Sequence, residues 1–345
     1  HKLYERSVHR KIVRTSQPLE FRAGDVLLLP DAYWVSRLRD SVWDAAAEAR
    51  ASQAFVATVL YDLIPLTHPE FVGRKRHDVF LRYLKSAATN SDLLLAISNT
   101  VRAQVANYLP SLLGKQAYCR DIRTFQLGAE LSTAQGQIRS DVQLLFAGPE
   151  TPYLMVATFD PRKNHTYVLD AFDELWKQQP ELKLCLVGRV GSRCGDVVKR
   201  IHMHPRYGKQ LILFSDLNDV ELQHCYARAR GVLFPSIVEG YGLPIVESLW
   251  HGRKTFASDT AIHREVGQQD CCYFKLGDPN SLVHQLLEWE AVIDGGALPQ
   301  LPVRNPTSWQ AGTEQIMEHC LSGLDAQRRQ SSPSSISDSK HARAA

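Results

Sequence analysis

The stretch Phe234-Pro-Ser-Ile-Val-Glu-Gly-Tyr-Gly-Leu-Pro-Ile-Val-Glu247 decides how this chain is read. The apolar run Gly231 to Phe234 leads into it and reads as a short buried strand. Pro235 and Ser236 end that strand, and Gly240 and Gly242 let the backbone turn sharply. Pro244 suits the first turn of a helix, which runs on to His251 and stops at Gly252. Strand, glycine loop, helix is the place where an open α/β sheet takes a ligand, beyond the carboxyl ends of its strands. Free N–H groups around Gly240, Tyr241, Gly242 and Leu243 and the helix dipole favour an anion such as a diphosphate. Two carboxylates flank that position: Glu239 before the glycines, Glu247 in the helix. Two glycines and a proline separate them, so they reach opposite ends of one ligand. Each is suited to accept from paired hydroxyls, with charge-assisted bonds of roughly 1.5–3 kcal/mol.

The same alternation extends in both directions. Apolar strands are expected at 26–30, 54–60, 92–97 and 122–127, then at 153–158, 182–187, 211–214 and 255–257. Helices are expected at 35–51, 71–88, 164–178, 192–203, 219–229, 280–290 and 306–322. A further helix, capped by Ser98, should stop before Pro110. Residues 129–150 carry no strong pattern and read as a connection. Strands alternating with helices twice over imply an α/β protein of two parallel-sheet layers. The Ser-rich stretch from about 325 reads as disordered.

Composition bounds the function classes. The 345 residues suffice for two domains, and 44% hydrophobic with 22% charged residues is ordinary for a globular chain. A net charge of +3 gives no argument for nucleic acid. The seven cysteines form no C-x-x-C pair and no metal-ligand spacing, which fits a reducing cytoplasm. No apolar run is long enough to span a bilayer, and no signal-peptide pattern is present. The chain starts at His1, so it reads as a fragment or a processed form.

A second strand-to-helix junction reads Thr158-Phe-Asp-Pro-Arg-Lys-Asn-His165. Arg162 and Lys163 are adjacent cations at the start of a helix, where they oppose its dipole. Such a local conflict is expected at a functional site, and a bound diphosphate resolves it. The alternative is a pair of solvated surface charges. In the first half, Leu60-Tyr-Asp-Leu-Ile-Pro65 follows a strand, and Asp62 either hydrogen-bonds ligand hydroxyls or caps a turn. The 71–88 helix sets Arg74, Lys75, Arg76, Arg82 and Lys85 beside Val79, Phe80, Tyr83 and Leu84. Two readings stay open for it: a surface that rests on an anionic membrane, or a packed helix with a solvated face.

The string Phe-Pro-Ser-x-x-Glu-Gly-Tyr-Gly-Leu-Pro-x-x-Glu resembles the E-x₇-E signature of the retaining family 4 glycosyltransferases, and the resemblance covers roughly residues 26–322. It implies the GT-B fold of two Rossmann-like domains with a ligand cleft between them. The implied division is an acceptor-side domain at 1–135, a nucleotide-sugar-binding domain at 136–305, a helix at 306–324 returning to the first domain, and a disordered tail at 325–345. The family's N-terminal Gly-rich loop is not visible, so the first domain is shortened or begins outside this sequence. Pro161-Arg-Lys-Asn164 is similar to the branch that builds bacterial surface polysaccharides with mannosyl or rhamnosyl donors. There Thr158 stands where the commoner arginine would be, and Lys163 keeps the family lysine's place. Tyr61 stands where the family often has histidine, whose contact to the donor sugar is therefore not carried over.

By this resemblance Arg162 and Lys163 hold the diphosphate, Glu239 the sugar hydroxyls and Glu247 the ribose, with Asp62 a fourth catalytic candidate. Gly188, Arg189 and the loop at Ser215 and Asp216 would line the nucleotide pocket. The expected donor is GDP-mannose, with UDP- and dTDP-sugars as alternatives. The expected acceptor is a glycan or a polyprenyl-linked glycan at the inner face of the plasma membrane. No metal and no cofactor is expected, since the sequence contains no Asp-x-Asp. Two rivals remain at this stage: an epimerase or phosphorylase of the same fold, and a non-catalytic nucleotide-sugar-binding fragment.

Overall fold

The computed structural model describes residues 19–35, 41–114, 118–119, 121–129, 136–191, 194–293, 298–299 and 301–331. Two parallel sheets carry the chain. The first holds β1 (Val26–Leu29), β2 (Phe55–Leu60), β3 (Leu93–Ala96) and β4 (Ile122–Thr124), side by side in sequence order. The second holds β5 (Tyr153–Val156), β6 (Leu184–Val187), β7 (Leu211–Phe214), β8 (Gly231–Phe234), β9 (Thr255–Ser258) and β10 (Cys271–Phe274). Its order is β10-β9-β8-β5-β6-β7, parallel throughout. β2, β3, β5, β6, β8 and β9 are almost wholly buried, because helices cover both faces of a parallel sheet. That is why they read as continuous apolar runs rather than alternating ones.

The second sheet has the doubly wound order, with its direction of winding reversing between β5 and β8. The first sheet is parallel as well. Among the described strands it winds one way only, from β1 to β4, and has no reversal. The ligand crevice that winding alone creates therefore belongs to the second domain.

The last helix, Trp309–Ser331, packs against β2 and β3 of the first sheet. Cys320 and Leu324 are buried in that domain's core with Phe55 and Leu84. This contact corrects the expectation of a disordered tail from 325: residues 325–331 continue the helix, carried past the anchored Leu324. Residues 332–345 lie outside the described residues, as do residues 1–18. Pro110 also departs from expectation. The helix Asn99–Leu113 runs through it, because only the last turn is affected and Gly114 N–H then donates to the Pro110 carbonyl. Ser98 Oγ caps this helix by accepting from Val101 N–H. Among the described elements, β10 and the helices Ile64–Thr67, Ser140–Leu145 and Ala261–Gly267 had no sequence expectation.

Three sets of contacts join the domains beside the strand ends. Ser98 Oγ donates to the Gly240 carbonyl at 3.1 Å. The Glu265 carboxylate accepts from Asn99 N–H (2.7 Å), Thr100 N–H (2.8 Å) and Thr100 Oγ (2.6 Å), capping a helix of the opposite domain. At the chain crossings, Gly128 and Gly312 have no room for a side chain. A Cβ on Gly128 would lie 2.6 Å from Trp309 Cα, and one on Gly312 would lie 2.6 Å from the Gln126 carbonyl oxygen.

In the basic helix Arg74–Asn90, Phe80, Tyr83 and Leu84 face the core, while Arg74, Lys75, Arg76, Arg82 and Lys85 are exposed. Its apolar side is occupied, so any surface contact it makes is electrostatic. Among the described residues, no helix is long and apolar enough to cross a membrane.

The seating of the last helix is open to test. A Cβ on Gly323 would lie 2.4 Å from the Phe55 ring. Gly323→Val should destabilise the protein by about 1–3 kcal/mol through overpacking. Asp325→Ala, at an exposed ion pair, should change stability by less than about 1 kcal/mol. Urea unfolding of both variants checks the difference.

Candidate active site at the β5–β8 crevice

The reversal between β5 and β8 places their two carboxyl-end loops side by side. After β5 the chain makes a short 3-10 turn, Pro161–Lys163, in which Asp160 Oδ1 accepts from Arg162 N–H at 3.1 Å. After β8 it runs through the glycine loop. The loops are tied by Ile237 N–H donating to the Arg162 carbonyl at 2.8 Å. This bond holds the side chains of both loops in one cluster.

Arg162 Nη1 donates to Glu239 Oε2 at 2.6 Å, and Lys163 Nζ donates to Glu239 Oε1. Lys163 also lies over the Phe234 ring, with Nζ 5.2 Å from its centroid. The side chains of Arg162, Lys163 and Glu239 are 27%, 12% and 9% exposed. Burial pushes the Glu239 carboxyl up, but Lys163 and Arg162 outweigh it and hold it below its ordinary value of 4.5. Burial lowers Lys163 below 10.5 despite Glu239 beside it. Arg162 and Lys163 are thus paired and partly buried, which excludes the reading of two solvated surface charges.

Two helices point their N-termini at this cluster. The helix His165–Gln178 starts after Asn164, and the helix Leu243–Trp250 starts after Gly242, whose φ of 117° suits glycine. Neither start has a side-chain cap; Ile245 N–H donates to the Gly242 carbonyl, Tyr167 N–H to the Asn164 carbonyl, and Pro244 has no N–H, which leaves the N–H groups of His165, Thr166 and Leu243 for a ligand. Gly240 is pressed against the first domain: a Cβ there would lie 2.3 Å from the Tyr61 carbonyl oxygen and 3.1 Å from Asp62 Cβ. Tyr241 packs into the apolar clusters of both domains.

Asp62 joins the cluster from the other side of the cleft. Its Oδ1 accepts from Ile64 N–H at 2.9 Å, the capping role left open above. Burial raises its pKa above 3.8, Arg162 lowers it and Glu239 raises it, so it senses both site charges. Tyr61 turns away and donates its hydroxyl to the Pro30 carbonyl at 2.5 Å.

The nucleotide-side candidates lie along the same sheet end. Gly188 and Arg189 extend the β5–β6 pairing, with Ala157 N–H donating to Val187 O and Phe159 N–H to Arg189 O, both at 2.9 Å. A Cβ on Gly188 would lie 1.9 Å from the Ala157 carbonyl oxygen, so this crossing requires glycine. Ser215 is exposed after the edge strand β7, and Arg139 Nη1 holds neighbouring Asp216 at 3.0 Å. Loops after β8, β5, β6 and β7 thus run in a row of about 14 Å, three strand spacings. Glu247 accepts from the Tyr226 hydroxyl at 2.6 Å, and burial raises its pKa.

Sequence reasoning missed four polar groups here. Tyr226 orients Glu247, Glu265 and Ser98 join the domains, and the buried His263 lies 4.9 Å from Phe234. Only Ser98 had a local signal, its helix-capping position.

The chain is similar to known proteins in sequence and in fold. Residues 137–291 match the family described as Glycosyl transferases group 1. The chain is 28% identical over 309 residues to the serotype-specific mannosyltransferase WbdA of Escherichia coli, covering 88% of this chain and 38% of WbdA. It is 25% identical over 231 residues to the O-antigen chain mannosyltransferase B of Escherichia coli, covering 65% of this chain and 58% of that protein. The chain therefore spans well under half the length of WbdA. Among solved structures, sucrose-phosphate synthase from Thermosynechococcus elongatus superposes with a TM-score of 0.63 at 18% identity, covering 87% of this chain and 74% of that one. The chain's two parallel-sheet α/β domains thus have the GT-B fold, and residues 137–291 are similar to the group 1 glycosyl transferases.

Proposed function

We propose that this protein is a retaining glycosyltransferase. In this reading it moves a hexose, mannose first, from a nucleoside-diphosphate sugar to a hydroxyl of a glycan or polyprenyl-linked glycan in polysaccharide assembly. GDP-mannose is the favoured donor, and UDP- and dTDP-sugars are the alternatives. The carrying observation is the cluster of Arg162, Lys163 and Glu239 at the β5–β8 crevice, facing Asp62 across the cleft. The named relatives are mannosyltransferases, which supports the choice of sugar.

The chemistry follows from charge. As the glycosidic bond to the diphosphate breaks, the sugar ring gains positive charge and the leaving oxygen gains negative charge. Arg162, Lys163 and the N–H groups at Gly242 and Leu243 would neutralise the latter, each such aimed donor contributing roughly 3–4 kcal/mol. Glu239 would steady the sugar through its hydroxyls. Glu247, oriented by Tyr226, would accept from the ribose hydroxyls. The nucleoside would extend along Gly188, Arg189 and Ser215. The departing diphosphate would take the acceptor's proton, so the scheme needs no separate base. The exposed basic face of the helix Arg74–Asn90 would bring the protein to an anionic membrane surface on the cytoplasmic side, where a lipid-linked acceptor lies.

Lys163→Ala and Glu239→Gln should each lower kcat by about 10²–10³-fold with the thermal transition retained. Product chromatography with a labelled donor is the assay, and it also separates transfer from epimerisation or phosphorolysis. Unchanged turnover in either variant rejects the assignment.

The pH profile follows from the same cluster. Glu239 must be ionised and Lys163 protonated. Glu239 titrates below 4.5, so this group removes activity only as the pH falls beneath that value. Lys163 titrates below 10.5, so activity is lost as the pH rises before that value is reached. Lys163→Arg keeps its charge across this range and should remove the alkaline limb of kcat/KM. Persistence of the limb would assign it to another group.

Membrane contact is checked by vesicle flotation. Binding to vesicles containing phosphatidylglycerol should fall as salt rises, and neutral vesicles should bind none.

A further inference from the structure

A second cavity lies beside the crevice. It has a volume of about 570 Å³, within the range of small-molecule sites. Both domains wall it. On one side stands the joint of Ser98 and Asn99–Thr100 with Gly240 and Glu265. On the other stand the chain crossings, where Ala129 N–H donates to Thr307 O and Thr307 Oγ1 donates to Gln126 Oε1 at 2.6 Å. Tyr241, between the two glycines of the donor loop, lines it. The cavity therefore borders the loop that carries Glu239, while Arg162, Lys163, Glu239 and Asp62 do not line it.

Its lining selects a ligand class. Both charged groups in the wall are already engaged. Glu265 caps the helix Asn99–Leu113, and Arg304 donates to the Val266 carbonyl at 3.0 Å and lies 3.5 Å from Asp270. The wall thus carries one carboxylate and one guanidinium, each with a protein partner and together without net charge, which favours a neutral ligand over a phosphate. The carboxamides of Asn99, Gln268 and Asn305 line the same space, and their side chains have no hydrogen-bond partner among the described residues. A carboxamide donates and accepts at once, which matches an array of hydroxyls. Tyr241 adds an aromatic ring, an apolar surface for the C–H face of a sugar.

We propose that this cavity binds uncharged sugar units of the glycan acceptor, outside the donor pocket. The inference rests on the transferase reading and adds the acceptor's chemistry: a polyhydroxylated, neutral saccharide is gripped by carboxamides, while its lipid or phosphate portion lies elsewhere. Asn99, Gln268 and Asn305 are specificity residues for acceptor length and take no part in breaking the donor bond.

Calorimetric titration of the full chain with α-linked mannotriose, alongside GDP and inorganic phosphate, tests this. Asn305→Trp fills the space, and Gln268→Leu removes one hydroxyl partner. Both residues are exposed, so both variants should melt as the parent does. The parent should bind mannotriose, and each variant should bind it about tenfold more weakly or worse, with GDP affinity unchanged. In turnover, KM for the saccharide should rise while kcat at saturation and donor hydrolysis hold. Equal mannotriose affinity in parent and variants overturns the proposal, as does a parent that binds GDP but no mannotriose. Phosphate binding that the two variants abolish also overturns it. Failure of the transferase reading is seen separately, as absence of binding to GDP, UDP and dTDP.

Discussion

Glu239 lies between the guanidinium of Arg162 and the ammonium of Lys163 in a mostly buried cluster. Removing charges from water is costly, and it is offset here by short charge-assisted hydrogen bonds to both carboxylate oxygens. The three side chains still sum to one net positive charge. Two helix N-termini without side-chain caps face the same point. Each of these features is mildly unfavourable alone, and each becomes favourable against an anion. The arrangement is thus better explained as a ligand site than as a device for stability.

Topology makes the cluster. β5 and β8 are far apart in sequence and adjacent in the sheet because the winding reverses between them. Their loops emerge together at the carboxyl edge, and one backbone bond, from Ile237 to Arg162, sets their relative position. Glycines then set how closely backbones approach. Gly188 admits the neighbouring strand end, and Gly240 lets the donor loop press on Tyr61 and Asp62. A site made of parts from two sheets consequently depends on contacts that carry no chemistry, such as Glu265 at the start of the helix Asn99–Leu113.

Much of this was legible in the residues. Buried parallel strands read as apolar runs, so nine of the ten described strands were anticipated within a few residues. β8 and its glycine loop stood out because Pro235, Gly240, Gly242 and Pro244 each impose a backbone constraint over a short span. What stayed hidden was contact between distant residues. Ser98 meets Gly240 across 142 positions, and Asn99 meets Glu265 across 166, with no local pattern to announce either. Tyr226 was invisible as Glu247's partner because nothing in a helix sequence shows which buried hydroxyl faces which carboxylate. The tail was misjudged at 325–331 for a related reason: its order comes from Leu324 seated in another element's core, and local composition could not report that.

The most direct test of the central claim is the affinity difference between a nucleoside diphosphate and its monophosphate, by calorimetric titration of the parent and of Arg162→Ala/Lys163→Ala. If the two cations grip the diphosphate, GDP should bind the parent about tenfold or more tightly than GMP, and that preference should vanish in the double variant. A double variant that keeps the parent's full preference for the diphosphate would place the anion elsewhere and contradict the account.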